Sequence, residues 1–184
     1  MITNDYLDYM FKIPIVHLTA RNWDLKKSIL LDMMNKTQIE LSEEDVQSDY
    51  HTQQDNNESG KHNTEIEHLF KEEINLFCNQ LNFIEYRVVM SWFETASQGN
   101  YHGIHNHGLV GYSAVCFIDY DKEEHTATQF VSPFNNFLTG HALHYSPQVD
   151  EGSLIFFPAT ILHHTEPNKS TKERKILSFN INVK

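Results

Sequence analysis

The spacing of apolar residues changes period once along the chain, near Phe83. Before it they recur at helical spacing, and after it they alternate. Residues 22–35 place Leu25, Ile29, Leu30, Met33 and Met34 on one stripe, which predicts a helix with one buried side. Residues 64–80 hold Ile66, Leu69, Phe70, Ile74, Phe77 and Cys78, with Leu81 just beyond. That wide apolar face predicts a second helix packed on a sheet. Thr64 and Glu67 give it the capping-box pattern. From 83 to 93 the residues Ile84, Tyr86, Val88, Met90 and Trp92 share one face of an extended chain. Further strands are predicted near 105–107, 112–119, 128–131, 153–157, 163–166 and 174–182, with turn residues between them. Residues 11–18 carry Ile13, Ile15 and Val16 around Pro14. They predict a short edge strand, because proline cannot donate into a central ladder. Two helices followed by many short strands predict a mainly β fold, a sandwich or barrel with the helices outside.

One stretch breaks this pattern. Residues 37–60 contain seven acidic residues and no Lys or Arg. They read as a long acidic surface loop, with a substrate lid as the alternative. Composition adds bounds. A chain of 184 residues with 40% hydrophobic content is expected to form one domain, 1–184. The helices and acidic loop lie in 1–82 and the β core in 83–184. A net charge of −11 argues against duplex nucleic acid as a partner. Cys78 and Cys116 sit among apolar residues and are expected to be reduced thiols. The first ten residues lack a signal-peptide layout, and no apolar run is long enough to span a bilayer. The expectation is a soluble cytoplasmic protein with no membrane partner.

The chemistry concentrates in the second half, where eight of the twelve histidines lie between His102 and His164. The glycine-bracketed stretch 99–111 holds His102, His105 and His107. On an extended chain His105 and His107 leave the same face, as two ligands of one metal ion must. A second cluster, His163 and His164, follows the apolar run 153–157 and Pro158. Arg174 comes next. Between Val88 and Asn168 the sole Lys or Arg is Lys122, so Arg174 is one of few cations within reach of such a site. Arg174 and Ser178 share a strand face, opposite Leu177 and Phe179. An arginine with a hydroxyl is a good receptor for a carboxylate. Three histidines that leave metal positions open, plus that receptor, make the plan of a non-haem Fe(II) site with a bidentate organic cosubstrate.

The remaining candidates read more plainly. His102 is expected to face away from the pair, in solvent or behind the ligands. His164 points opposite to His163 and is the fallback ligand. His125, His141 and His144 fall in turns and are expected at the surface. Glu166 and Asp119 are the nearest carboxylates that could complete a facial triad. Trp92, Tyr101, Tyr112 and Phe156 are candidate pocket residues, though aromatics at strand spacing are usually core.

Taken in order, His105-x-His107, Ser113-Ala-Val, Glu151-Gly-Ser-Leu-Ile-Phe-Phe-Pro158, His163, Glu166-Pro-Asn168 and Arg174 through Ser178-Phe-Asn180 resemble a known pattern. It is that of the 2-oxoglutarate/Fe(II) oxygenases common in phage and marine bacterial genomes. The resemblance covers Trp92 to Asn180. It implies a double-stranded β-helix, a jelly roll with two N-terminal helices packed outside. It also implies an Fe(II)- and 2-oxoglutarate-dependent dioxygenase that hydroxylates a small-molecule or protein substrate and releases succinate and CO2. By position, His105, His107 and His163 would be the metal ligands, and Arg174 with Ser178 would hold the cosubstrate. The implied setting is the cytoplasm of a bacterial or phage-infected cell. Two departures stand out. His107 occupies a position that is Asp or Glu in most 2-oxoglutarate oxygenases, and Ile176 replaces the serine two after the arginine. The spacing also partly fits a cupin-type metalloprotein, whose glutamate is missing here. A non-catalytic binding module on the same fold is the third reading.

Overall fold

Strands buried on both faces carry the molecule. The computed structural model describes residues 12–37, 39 and 45–184. Its elements in chain order are β1 (Val16–Thr19), α1 (Trp23–Asn35), β2 (Gln47–Ser48), α2 (Tyr50–Asp55), α3 (Asn63–Leu69), α4 (Lys71–Leu81), β3 (Tyr86–Ala96), β4 (His102–His105), β5 (Tyr112–Asp119), β6 (Gln129–Asn135), β7 (Ala142–Tyr145), β8 (Ser153–Pro158), β9 (His163–Thr165) and β10 (Arg174–Val183). They form a six-stranded sheet, ordered β1-β8-β5-β10-β3-β2, and a four-stranded sheet, ordered β4-β9-β6-β7. The strand pairs are antiparallel. This is the expected double-stranded β-helix.

Alternation explains why the central strands read as nearly unbroken apolar runs. In β5, Ala114, Cys116 and Ile118 face the helices, whereas Val115 and Phe117 face the space between the sheets. In β8, Leu154 and Phe156 face outward and Ile155 and Phe157 inward. In β10, Leu177, Phe179 and Ile181 pack with the helices, so Arg174, Ile176 and Ser178 point between the sheets. The outer layer is built by Leu30, Met34, Ile66, Phe70, Ile74 and Phe77 on the larger sheet. Phe77 stacks on Phe156 with ring centroids 4.4 Å apart. Cys78 and Cys116 are buried free thiols, as expected.

The elements differ from expectation in five places. In α1 the buried positions are Lys26, Leu30 and Met34, while Leu25 and Ile29 are exposed. The helix is rotated because Lys26 reaches inward to Glu73 of α4, with Nζ 2.7 Å from both carboxylate oxygens. The second predicted helix is two, α3 and α4, broken at Phe70. No side chain caps α3; Glu67 instead accepts the Val88 backbone N–H of β3 at 3.0 Å. In β3, Val88 and Trp92 do not share a face. The pairing with β10 steps from Met90↔Asn180 to Val88↔Ile181, leaving Val89 as a one-residue bulge. A single extra residue turns every later side chain over. Ile84 lies outside the strand and is exposed.

The fourth difference is the acidic stretch. Residues 38 and 40–44 lie outside the described residues. The rest is not a surface loop, because β2 pairs with β3 and α2 packs beside it. Asp49 and Gln53 are fully buried. Asp49 accepts the Phe93 backbone N–H at 2.8 Å and the Gln53 side-chain amide at 2.8 Å. Charge count read Asp49 as solvated, yet its oxygens are engaged by backbone and amide. The fifth difference is β7, in a region expected to be a turn. It holds His144, with residues 142–145 all exposed. Of the N-terminal edge strand, β1 does lie at the edge of the larger sheet, where it pairs with β8, and Phe11 lies outside the described residues.

Candidate active site

Two strands and one turn bring three imidazoles together. His105 ends β4 and His163 begins β9, and the two are direct partners in the antiparallel register. His107 follows after the strand has ended. Its backbone N–H donates to Ala159 O at 2.9 Å, and Ala159 N–H donates to Gly111 O at 3.0 Å. Gly111 closes this turn at φ +83°, where an added Cβ would meet Ile181 O at 2.6 Å. Glycine is required there on both counts.

Among the described residues, His105, His107 and His163 are the cluster whose ligand atoms converge, all within 4.8 Å of one another. The tautomers follow from the backbone. His105 Nδ1–H donates to Gly103 O at 2.8 Å, and His163 Nδ1–H donates to Ile161 O at 3.0 Å. Each therefore turns its Nε2 lone pair toward the other rings. The Nε2 atoms of His105 and His107 are 3.3 Å apart. That separation suits two adjacent ligands, each about 2.1 Å from one ion. Burial, then the neighbouring imidazoles, pushes His107 down to about 4 and His163 down to about 3. His105 is lowered too, first by burial and then by His102. All three are neutral at pH 7, the form a metal needs.

Behind them stands Glu94, which the sequence reading passed over. It is buried on β3, and both its oxygens are occupied. Oε1 accepts Trp92 Nε1–H at 2.8 Å, and Oε2 lies 3.4 Å from His102 Nδ1. Burial works to raise its pKa, but these partners outweigh burial and hold it at about 2. His102 is likewise opposed by burial, yet Glu94 and Asp45 raise it. The His102 ring stacks on His105 at 3.9 Å and 18°. The edge of Trp92 meets His107 at 5.0 Å. Glu94 thus braces two rings of the cluster, one through each oxygen. The available signal was the one carboxylate of β3, two residues after Trp92 and so on the same strand face.

Arg174 starts β10 opposite Ala96 of β3 and faces between the sheets. It is almost completely buried. One terminal N–H donates to Thr126 O at 3.0 Å, while Nε is buried without a hydrogen-bond partner. Burial lowers its pKa and the charge of Glu94 raises it; arginine keeps its charge in either case. Ser178 is also buried, on the same face and opposite Trp92. A buried guanidinium with an orphaned N–H calls for an anion. The chemistry of both donor sets therefore fits the two groups the sequence pointed to, a divalent metal and a dicarboxylate.

The other candidates go elsewhere. His164 lies outside the cluster and meets His144 edge-on at 6.4 Å. Glu166 also stays outside, and Asp119 pairs with Lys27 at 3.6 Å. His125 is buried rather than exposed: Nδ1 accepts the Asp121 N–H at 3.0 Å and Nε2 lies 3.1 Å from Lys172 O. A cavity of about 250 Å³ opens beside His105 and His107. Of the four aromatic candidates, Trp92 lines it. Phe156 and Tyr112 belong to the helix-side core, and Tyr101 is half-exposed. Its outer wall, Asp45 to His51, came from the stretch read as a loop.

Comparison with known proteins agrees with this arrangement. The family described as "Putative 2OG-Fe(II) oxygenase" matches residues 90–180, the span from Met90 to Asn180. No curated protein matches the chain. Among solved structures, the epimerase SnoN in complex with Fe3+, alpha ketoglutarate and nogalamycin RO superposes with a TM-score of 0.66 at 12% identity, over 91% of this chain and 78% of that one. A viral collagen prolyl hydroxylase from Paramecium Bursaria Chlorella virus-1 gives 0.57 at 16% identity, over 100% and 99%. A Pseudomonas putida prolyl-4-hydroxylase gives 0.56 at 12% identity, over 91% and 92%. These identities carry the fold, and the family match carries the chemistry. With residues 90–180 holding the histidine cluster and the buried arginine alike, the chain belongs to the 2-oxoglutarate/Fe(II) oxygenases, enzymes that use Fe(II) and 2-oxoglutarate.

Proposed function

We propose that this protein is a hydroxylase in which His105, His107 and His163 hold Fe(II), and Arg174 with Ser178 holds the distal carboxylate of 2-oxoglutarate. The observation that carries the reading is the orphaned Nε of Arg174, buried between the same two sheets as the three imidazoles. Fe(II) and 2-oxoglutarate would together activate O2, giving succinate, CO2 and one hydroxyl on an aliphatic carbon of the substrate. The chain's own residues do the rest. The aromatic packing of Phe117, Phe130 and Phe157 keeps water from the space between the sheets. Three neutral histidines bring no charge to the metal. Glu94, held ionised just behind two of them, restores the negative charge that a carboxylate ligand would have brought.

The test is anaerobic addition of Fe(II) and then 2-oxoglutarate to the metal-free chain. A visible charge-transfer band is expected. It should vanish in His163→Ala and weaken at least tenfold in apparent 2-oxoglutarate affinity in Arg174→Ala. Metal binding with no response to 2-oxoglutarate would favour the cupin-type reading. A chain that binds no metal would be a non-catalytic module.

A further inference from the structure

The three ligand rings are not fixed alike. His105 and His163 give their Nδ1–H to backbone carbonyls, so the chain itself sets their Nε2 lone pairs. His107 has no such bond: its Nδ1 is buried and lacks a hydrogen-bond partner of regular geometry. The difference matters because a neutral imidazole carries a single N–H. With the proton on Nε2, His107 could not ligate a metal, and Nδ1 would be a buried acceptor without a donor. A carboxylate at this position would have no tautomer to set, whereas an imidazole does.

The sheet register shows what lies under the His107 ring. The ring meets Trp92 of β3 at 5.0 Å and Phe157 of β8 at 6.0 Å, so it lies across the inner face of the larger sheet between those strands. The strands between β3 and β8 are β10 and β5. Level with Phe157 they present Ser113, its direct partner on β5, and Asn180, the partner of Ser113 on β10. Both point inward, since Ala114, Phe179 and Ile181 beside them pack with the helices. Asn180 and His107 also line the same cavity. Ser113 is fully buried, and its Oγ–H donates to Asn180 Oδ1 at 2.8 Å. That bond orients the amide and uses one of the two lone pairs of Oδ1. Burial and then His105 lower the pKa of His107, while the Asn180 amide is among the groups that raise it, as an acceptor does.

We infer that Asn180, anchored by Ser113, is the positioning residue of His107: its Oδ1 takes the Nδ1–H and leaves the Nε2 lone pair to the metal. This rests on the proposed function for the role of His107 as a ligand, but the tautomer itself is a property of the metal-free chain. Two ligands are thus oriented by backbone carbonyls, and the third by a side-chain pair on the sheet beneath it.

The experiment records long-range proton–nitrogen correlation spectra of the full-length chain with nitrogen-labelled histidine at pH 7, metal-free and then with Zn(II). The His107 ring is identified by its loss in His107→Gln. The metal-free parent is expected to show the proton on Nδ1 of His107. Asn180→Leu keeps the volume without an acceptor. It should move the ring to the Nε2–H form or a mixture, and lower Co(II) affinity, read by competition with a chelator, ten- to a hundredfold. Asn180→Asp restores an acceptor and should keep the tautomer, with affinity within threefold of the parent or tighter. Ser113→Ala, which frees the amide, should cost two- to fivefold, and it reads the same contact if circular dichroism shows that Asn180→Leu does not fold. The proton on Nε2 in the parent, parental tautomer and affinity in Asn180→Leu or Ser113→Ala, or an Asn180→Asp as weak as Asn180→Leu would overturn the inference. A parent that binds neither Zn(II) nor Co(II) sinks the proposed metal chemistry, and the tautomer in the metal-free variants still decides whether Asn180 sets the His107 ring.

Discussion

Glu94 has the most consequences of any single residue. It touches neither the cluster's lone pairs nor the cavity, yet one oxygen holds Trp92 and the other faces His102. Residues that hold metal ligands in place typically contribute ten- to a hundredfold to metal affinity. Glu94→Gln keeps the volume and removes the charge. A ten- to a hundredfold loss of Fe(II) or Co(II) affinity is expected, measured by competition with a chelator, with unchanged far-ultraviolet circular dichroism. Affinity within twofold of the parent would show that Glu94 does not brace the site. The cysteines give a second test. Burial raises the thiol pKa of both Cys78 and Cys116, so the reactive thiolate is scarce at neutral pH. The native chain should resist iodoacetamide at pH 8, Cys116 most of all, and both thiols should alkylate once urea unfolds it. Mass spectrometry that finds Cys116 modified in the native chain would contradict its burial.

At the scale of elements, the turn between β4 and β5 decides whether the site forms. Gly111 combines a left-handed φ with a backbone oxygen where a Cβ would stand. Gly111→Ala is expected to cost at least about 1–3 kcal/mol from the φ alone. It should also weaken metal binding, because the same turn positions His107. Gly103→Ala is the control, since an added Cβ there meets nothing within 4 Å. Thermal melts of the two variants check this, and similar midpoints would refute it. The bulge at Val89 acts on the same scale. It lets Val88 face the helices while Trp92 and Glu94 face the imidazoles, which a regular strand could not do.

Across the whole molecule, the helical layer is joined to itself through an ion pair with almost no exposure, Lys26 to Glu73. Breaking such a pair from one side leaves an uncompensated buried charge, at about 3–5 kcal/mol. Lys26→Met should lower the unfolding free energy measured by urea titration by that amount. The double variant Lys26→Met with Glu73→Leu should recover most of the loss. A single variant as stable as the parent would mean the pair is solvated in solution. The two-layer plan also separates tasks: the outward face of each central strand holds the helices, and the inward face carries the imidazoles and the arginine.

The sequence by itself determined the periods of the strands and the order of histidine pair, third histidine and arginine. Those signals are local, because a strand's two faces and a motif's spacing need no distant partner. His105, His107 and His163 were legible for that reason, as was the shared face of Arg174 and Ser178. Where ionisable residues would be buried was decided by the tertiary structure alone. His125 read as surface and Asp49 fell in a stretch read as a surface loop, while Lys26 and Glu94 drew no notice in the sequence. They are buried because a carboxylate, a backbone N–H, an indole or a carbonyl, in most cases distant in sequence, meets them. Burying a charge costs far more than any propensity unless such a partner arrives, and only the folded chain shows where it does.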